Sequence, residues 1–134
     1  MSKSKSKSST PEKLLTEAEL ELMSILWRIG EGSVADVIGN LPEGRDLAYT
    51  SVSTILRILE QKGILKTRKE GRGHIYIPAI AKSEYEAKTV KHIVNRVFDG
   101  TPMALVKQLL DSVPLDPREI DELRNILDAA GRKK

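Results

Sequence analysis

The segment from Thr50 to Pro78 constrains this chain more than any other. Val52, Ile55, Leu56 and Leu59 recur at the spacing of one helix face, and the pattern closes at Gly63. With no linker the chain enters Ile64-Leu65-Lys66-Thr67-Arg68-Lys69, then Glu70-Gly71-Arg72-Gly73, then His74-Ile75-Tyr76-Ile77 before Pro78. Two β-prone runs around a glycine-containing turn predict a hairpin. The helix must therefore lie against the base of a two-stranded ribbon.

Stepping about 100° per residue places Thr50, Thr54, Arg57 and Gln61 together, opposite the apolar stripe, with Ser51 and Ser53 on the flanks. An ordinary solvated helix face would carry Glu and Lys here. Short hydroxyls with one Arg let a helix approach bases and phosphates closely and still hydrogen-bond to them. In the hairpin, Arg68, Lys69 and Arg72 surround a glycine-rich tip, where they could reach a phosphate backbone.

Two helices are expected upstream. Thr16-Glu17-Ala18-Glu19 forms a capping box, followed by Leu20, Met23, Leu26 and Trp27 at helical spacing and a stop at Gly30. Ser33 to Asp36 repeats the start signal for a shorter helix with Val34, Val37, Ile38 and Leu41, ended by Pro42. Three helices and a basic hairpin describe a winged helix-turn-helix.

Downstream of Pro78 the period is helical again. Ser83 and Glu86 are expected to cap a long helix with Tyr85, Val90, Ile93, Val94, Val97 and Phe98. Thr101-Pro102 starts another with Leu105, Val106, Leu109 and Leu110, and Asp116-Pro117 a third with Ile120, Leu123 and Leu127. About fifty residues of amphipathic helix cannot fill a core alone, so their stripes should pack on a second copy, on the preceding domain, or on both. Val94, Val97, Leu105, Leu109, Ile120, Leu123 and Leu127 are the candidate dimer contacts. The expected fold is mainly α with a small β-hairpin wing: a basic disordered tail (1–13), a winged-helix domain (14–79) and a three-helix dimerisation region (80–131).

Charge sharpens the functional expectation. Removing Lys3, Lys5, Lys7, Arg132, Lys133 and Lys134 from the 22 Lys and Arg leaves 16 basic against 19 acidic residues, so the body is slightly acidic. Within it, Arg45, Arg57, Lys62, Lys66, Arg68, Lys69 and Arg72 face only Asp46, Glu60 and Glu70 between positions 45 and 76. Local positive charge in an acidic body suits contact with a phosphate backbone.

Other functions fit poorly. With no cysteine there are no disulfides, thiolate nucleophiles or thiolate metal sites. His74 and His92 are the only histidines, and no glycine-rich phosphate loop follows a strand, so neither an enzyme nor a cofactor is expected. No apolar run reaches membrane-span length, which makes a cytoplasmic protein the expectation. The alternative from another class is a winged helix that contacts protein rather than DNA.

Leu47-Ala48-Tyr49-Thr50-Ser51-Val52-Ser53-Thr54-Ile55-Leu56, then Leu59-Glu60-Gln61-Lys62-Gly63, Gly71-Arg72, Tyr76 and Pro78, resemble the penicillinase repressor (BlaI/MecI/CopY) family. Leu15-Thr16-Glu17-Ala18-Glu19 with Leu26-Trp27 resembles its first helix, and Glu119-Ile120-Asp121-Glu122-Leu123 its last. The resemblance implies a homodimeric repressor on a palindromic double-stranded operator, with Thr50, Ser51, Ser53 and Thr54 at the DNA-reading positions and Arg57 one turn on. It also implies a regulatory protease or sensor, of unidentified kind. The β-lactam-responsive branch is cut at an Asn-Phe bond, where this chain has Gln108-Leu109. The copper-responsive branch binds metal through cysteine pairs, which this chain lacks.

Overall fold

The computed structural model describes residues 14–132. The basic tail expected at residues 1–13 lies outside them.

Helix α1 (Glu17–Ile29) begins at the expected capping box. The Glu19 amide donates to Thr16 Oγ1 at 3.1 Å and the Thr16 amide to Glu19 Oε1 at 3.0 Å. Gly30, at φ 95°, ends the helix by donating its N–H to the Leu26 carbonyl at 2.7 Å. The buried face differs from the expected stripe. Leu22, Met23, Ile25 and Leu26 are buried, whereas Leu20 is 37% exposed and lies beside Glu17, Glu21 and Ser24. The helix is apolar over more than one face, so periodicity alone left its rotation open.

Helix α2 (Val34–Gly39) has its own reciprocal box between Ser33 and Asp36. Helix α3 (Tyr49–Gln61) buries Val52, Leu56 and Leu59 completely, with Ile55 partly covered. Lys62 caps it, and Gly63, at φ 83°, turns the chain into the hairpin. Strands β1 (Leu65–Glu70) and β2 (Gly73–Pro78) pair antiparallel, with Thr67 opposite Tyr76 and Arg68 opposite Ile75. A short bridge widens this sheet: the Tyr76 amide donates to the Gly32 carbonyl at 2.8 Å and the Gly32 amide to the Tyr76 carbonyl at 3.0 Å. The wing is thereby anchored to the α1–α2 loop. One core joins the helices and the hairpin, including Leu15, Ile64, Leu65, Tyr76, Ile80 and Tyr85.

Helix α4 (Lys82–Arg96) starts earlier than a Ser83 cap would place it, because the Ala81 carbonyl accepts from the Glu84 and Tyr85 amides. Its first turns pack onto α1. The buried Tyr85 hydroxyl accepts from the Leu15 amide at 3.0 Å, its ring stands 5.7 Å from that of Trp27, and the Trp27 indole donates to the Ile80 carbonyl at 3.0 Å. Tyr85, grouped by sequence with the C-terminal stripe, therefore belongs to the winged-helix core.

The chain divides into two compact units, and the division falls between Thr89 and Val90 in α4. The second continues through α5 (Pro102–Ser112) and α6 (Pro117–Arg132). Pro102 occupies the first turn of α5 after Thr101. At the start of α6 the Glu119 amide donates to Asp116 Oδ1 at 2.9 Å and the Asp116 amide to Glu119 Oε1 at 3.0 Å, a reciprocal box. Neither α5 nor α6 contains a buried residue.

Candidate nucleic-acid interface

The core contacts of α3 leave its other face open. Thr50, Ser51, Thr54, Arg57 and Gln61 are exposed, and Ser53 is half-buried. The structure divides the predicted stripe between two surfaces. Thr50, Ser51 and Thr54 line a shallow depression with Ile55. Ser53 and Arg57 instead line a cleft of about 380 Å³ between α3, the start of α2 and the wing. Tyr49 and Glu60 of α3, Thr67 of β1, and Arg72, His74 and Tyr76 of the hairpin complete most of that cleft. Arg72, in the hairpin turn, thus lines the same cleft as Arg57.

The basic residues are not equivalent. Among the described residues, no carboxylate lies within ion-pair distance of Arg57, Lys66, Lys69 or Arg72. Arg68 is committed elsewhere. Its guanidinium donates to both Glu31 oxygens, at 3.3 and 2.8 Å, and to Glu70 at 3.2 Å. The Glu31 and Glu70 carboxylates raise its already high pKa further. In turn, the Arg68 hydrogen bond holds the Glu31 carboxyl below the usual range. Because Glu31 precedes the Gly32 bridge, this ion pair ties the middle of β1 to the loop that anchors β2. Sequence spacing gave no sign of it, since the partners are 37 positions apart.

A second tie fixes α3. Lys62 at its C-terminus donates to Glu19 Oε2 of α1 at 2.7 Å. Burial pushes the Glu19 carboxyl up, but Lys62 and the Thr16 backbone outweigh it and leave the group below its ordinary value. The Glu19 expected only to cap α1 therefore also orients the helix that carries Arg57. On the acidic flank of α1, Arg45 donates to both oxygens of Glu21 at 2.9 and 2.8 Å, which removes it from the free positive charge.

In the second unit the expected dimer residues are distributed unevenly. Val97, Leu109 and Leu127 are 64%, 47% and 61% exposed, whereas Val94, Leu105, Ile120 and Leu123 are half-buried. Met103, Leu110, Val113 and Ile126 are exposed as well, though the sequence reading did not single them out as contacts. Gln108 and Leu109 sit inside α5, where the Gln108 amide donates to Ser112 Oγ at 2.6 Å. No group of His, Asp or Glu among the described residues could hold a metal ion, and no described helix is long and apolar enough to cross a membrane.

The family described as Penicillinase repressor matches residues 15–129. This chain belongs to the penicillinase repressor family. It is 32% identical over 120 residues to the penicillinase repressor of Bacillus licheniformis, covering 90% of this chain and 94% of that protein. It is 30% identical over 114 residues to the methicillin resistance regulatory protein MecI of Mammaliicoccus sciuri, covering 85% and 93%. The solution structure of the DNA-binding domain of the repressor BlaI shares 32% identity and covers 57% of this chain and 93% of that one, with a TM-score of 0.49.

Proposed function

We propose that this member of the family is a DNA-binding transcriptional repressor without catalytic activity, acting in the cytoplasm as a homodimer on a palindromic operator. The observation that carries this reading is the exposed polar side of α3, whose Arg57 shares a cleft with the unmatched wing cation Arg72. A helix in the major groove with a wing on the adjacent backbone uses both features. Thr50, Ser51, Ser53, Thr54 and Arg57 are assigned to the groove, and Lys69 and Arg72 to phosphates. Arg68 supports the wing from Glu31. The residues before α1 carry further positive charge, which adds affinity without sequence preference.

The second unit supports the dimer. Helices α5 and α6 carry apolar stripes yet bury no residue within one chain. A second copy would cover them and join two half-sites, and a protease or sensor that separates the copies would release the DNA.

The test is binding of Arg57→Ala, alone and combined with Thr54→Ala, to a duplex selected in vitro by the unaltered protein. Arg57→Ala should cost roughly 1–3 kcal/mol of binding while the fold persists. Undiminished binding by the folded double variant would rule out α3 as the reading element. Almost no salt-sensitive binding to random duplex DNA would favour a protein-contacting module.

A further inference from the structure

The cleft between α3 and the wing contains a group that the DNA-binding assignment above does not use. Tyr76 is only 6% exposed; its backbone amide and carbonyl are both bonded to Gly32 of the α1–α2 loop, and Thr67 stands opposite it across the hairpin. Its side chain lines the cleft, yet its hydroxyl has no hydrogen-bond partner among the described residues. The carboxylate nearest in character, Glu60, accepts from the Thr67 hydroxyl at 3.1 Å. A hydroxyl in the wall of a cleft with no acceptor in the protein keeps its donor for whatever enters the cleft.

The surroundings specify that partner. Ser33, Ser53, Arg57, Arg72 and His74 line the same cleft and offer donors. Burial raises the phenol's pKa, the Glu60 charge and Tyr49 add to the effect, and Arg57 opposes it. The group therefore stays a neutral O–H donor at physiological pH. Among the described residues, Glu60 is the one carboxylate lining the cleft and is held by the Thr67 hydroxyl; the hydroxyls, guanidinium groups and imidazole around it outnumber it, which suits a ligand that only accepts hydrogen bonds.

We propose that this cleft seats one backbone phosphate of the operator, with the Tyr76 hydroxyl donating to a non-bridging oxygen. The inference rests on the DNA-binding reading and deepens it. Arg57 and Arg72 flank the phosphate with charge, while Tyr76, held by the Gly32 bridge, sets its depth. The wing's distance from α3 then becomes part of the fit to the duplex.

Tyr76→Phe removes only the oxygen. In the full chain it should keep the melting temperature, since no hydrogen bond within the protein is lost. Affinity for the selected duplex should fall about tenfold, the worth of one hydrogen bond to a charged acceptor. The salt slope should not change, because no charge is lost. A scan of single methylphosphonate substitutions along each half-site provides the decisive readout. One position should weaken the unaltered protein strongly and Tyr76→Phe much less. Competition by inorganic phosphate at constant ionic strength should leave DNA binding unchanged in both proteins.

Equal affinity of the two proteins, or identical methylphosphonate profiles, would overturn the inference. So would inhibition by inorganic phosphate of the unaltered protein alone, which would make the cleft a site for a free anion. If the unaltered protein selects no duplex at all, the DNA-binding reading itself fails. The two failures are thus distinct.

Discussion

Arg68 and Arg72 stand four positions apart on one hairpin and differ in what answers their charge. Arg68 is bracketed by Glu31 and Glu70, whereas Arg72 lines a cleft in which no described carboxylate, Glu60 included, comes within ion-pair distance of it. A cation already paired within the protein displaces few counterions from DNA. Replacing Arg72 by Ala should lower affinity for cognate and random duplexes alike and flatten the logarithmic salt slope by about one unit. Arg68→Ala should leave the slope unaltered, while Glu31→Gln combined with Glu70→Gln should steepen it by freeing the guanidinium. A one-unit flattening by Arg68→Ala would put that residue on a phosphate. Only the tertiary ion pair separates these two arginines. In the sequence they read alike, as basic residues beside glycines, because periodicity reports what faces the core and not which surface charges meet.

Between elements, the Glu19–Lys62 pair couples the start of α1 to the end of α3. The Glu19 side chain is largely buried and Lys62 is partly exposed, so the pair is worth more than a free surface contact and less than a fully buried one. Lys62→Met should cost about 1–2 kcal/mol at neutral pH, as expected for a lost hydrogen bond to a charge. The folded Glu19 carboxyl titrates below its ordinary value of 4.5, so its contribution is complete above that value and is lost as the pH falls through the folded-state value. Urea denaturation should accordingly show the difference between Lys62→Met and the unaltered protein shrinking below pH 4.5. A difference that stays constant across that range would mean that packing by the Lys62 stem, not charge, is what the variant loses. Much of this level was legible beforehand. The boxes at Thr16, Ser33 and Asp116, the stops at Gly30 and Gly63 and the hairpin all follow from local chemistry that the chain spells out over three or four residues. The rotation of α1 was not, because Leu20 and Leu22 are equally apolar and only the packing of α1 on α3 and the hairpin decides which is covered. Ser83 likewise looked like a cap, but the Ala81 carbonyl starts α4 first, next to the buried Ile80.

For the whole molecule, the two units pose opposite problems of burial. The first closes a core around Leu22, Met23, Leu26, Leu56 and Leu59, all inaccessible to solvent. The second builds capped helices yet leaves Val97, Leu109, Ile126 and Leu127 largely exposed. Exposed apolar stripes on well-formed helices mark an interaction surface, and a second copy of the same stripes is the symmetric way to cover them. One winged unit binds a half-site weakly, so joining two raises occupancy through effective concentration. Dimer loss should therefore release DNA without altering α3. On the proposed dimer Leu123→Asp would bury a carboxylate between the copies, and Leu109→Asp tests the same surface from an exposed position that the fold of one chain does not need. Each variant should sediment as a monomer at micromolar concentration, keep the thermal transition of its N-terminal unit, and lose operator binding while retaining weak, salt-sensitive affinity for a half-site. If both variants remain dimeric and bind the operator normally, α5 and α6 are not the dimer contact, and release by separating the copies fails with it.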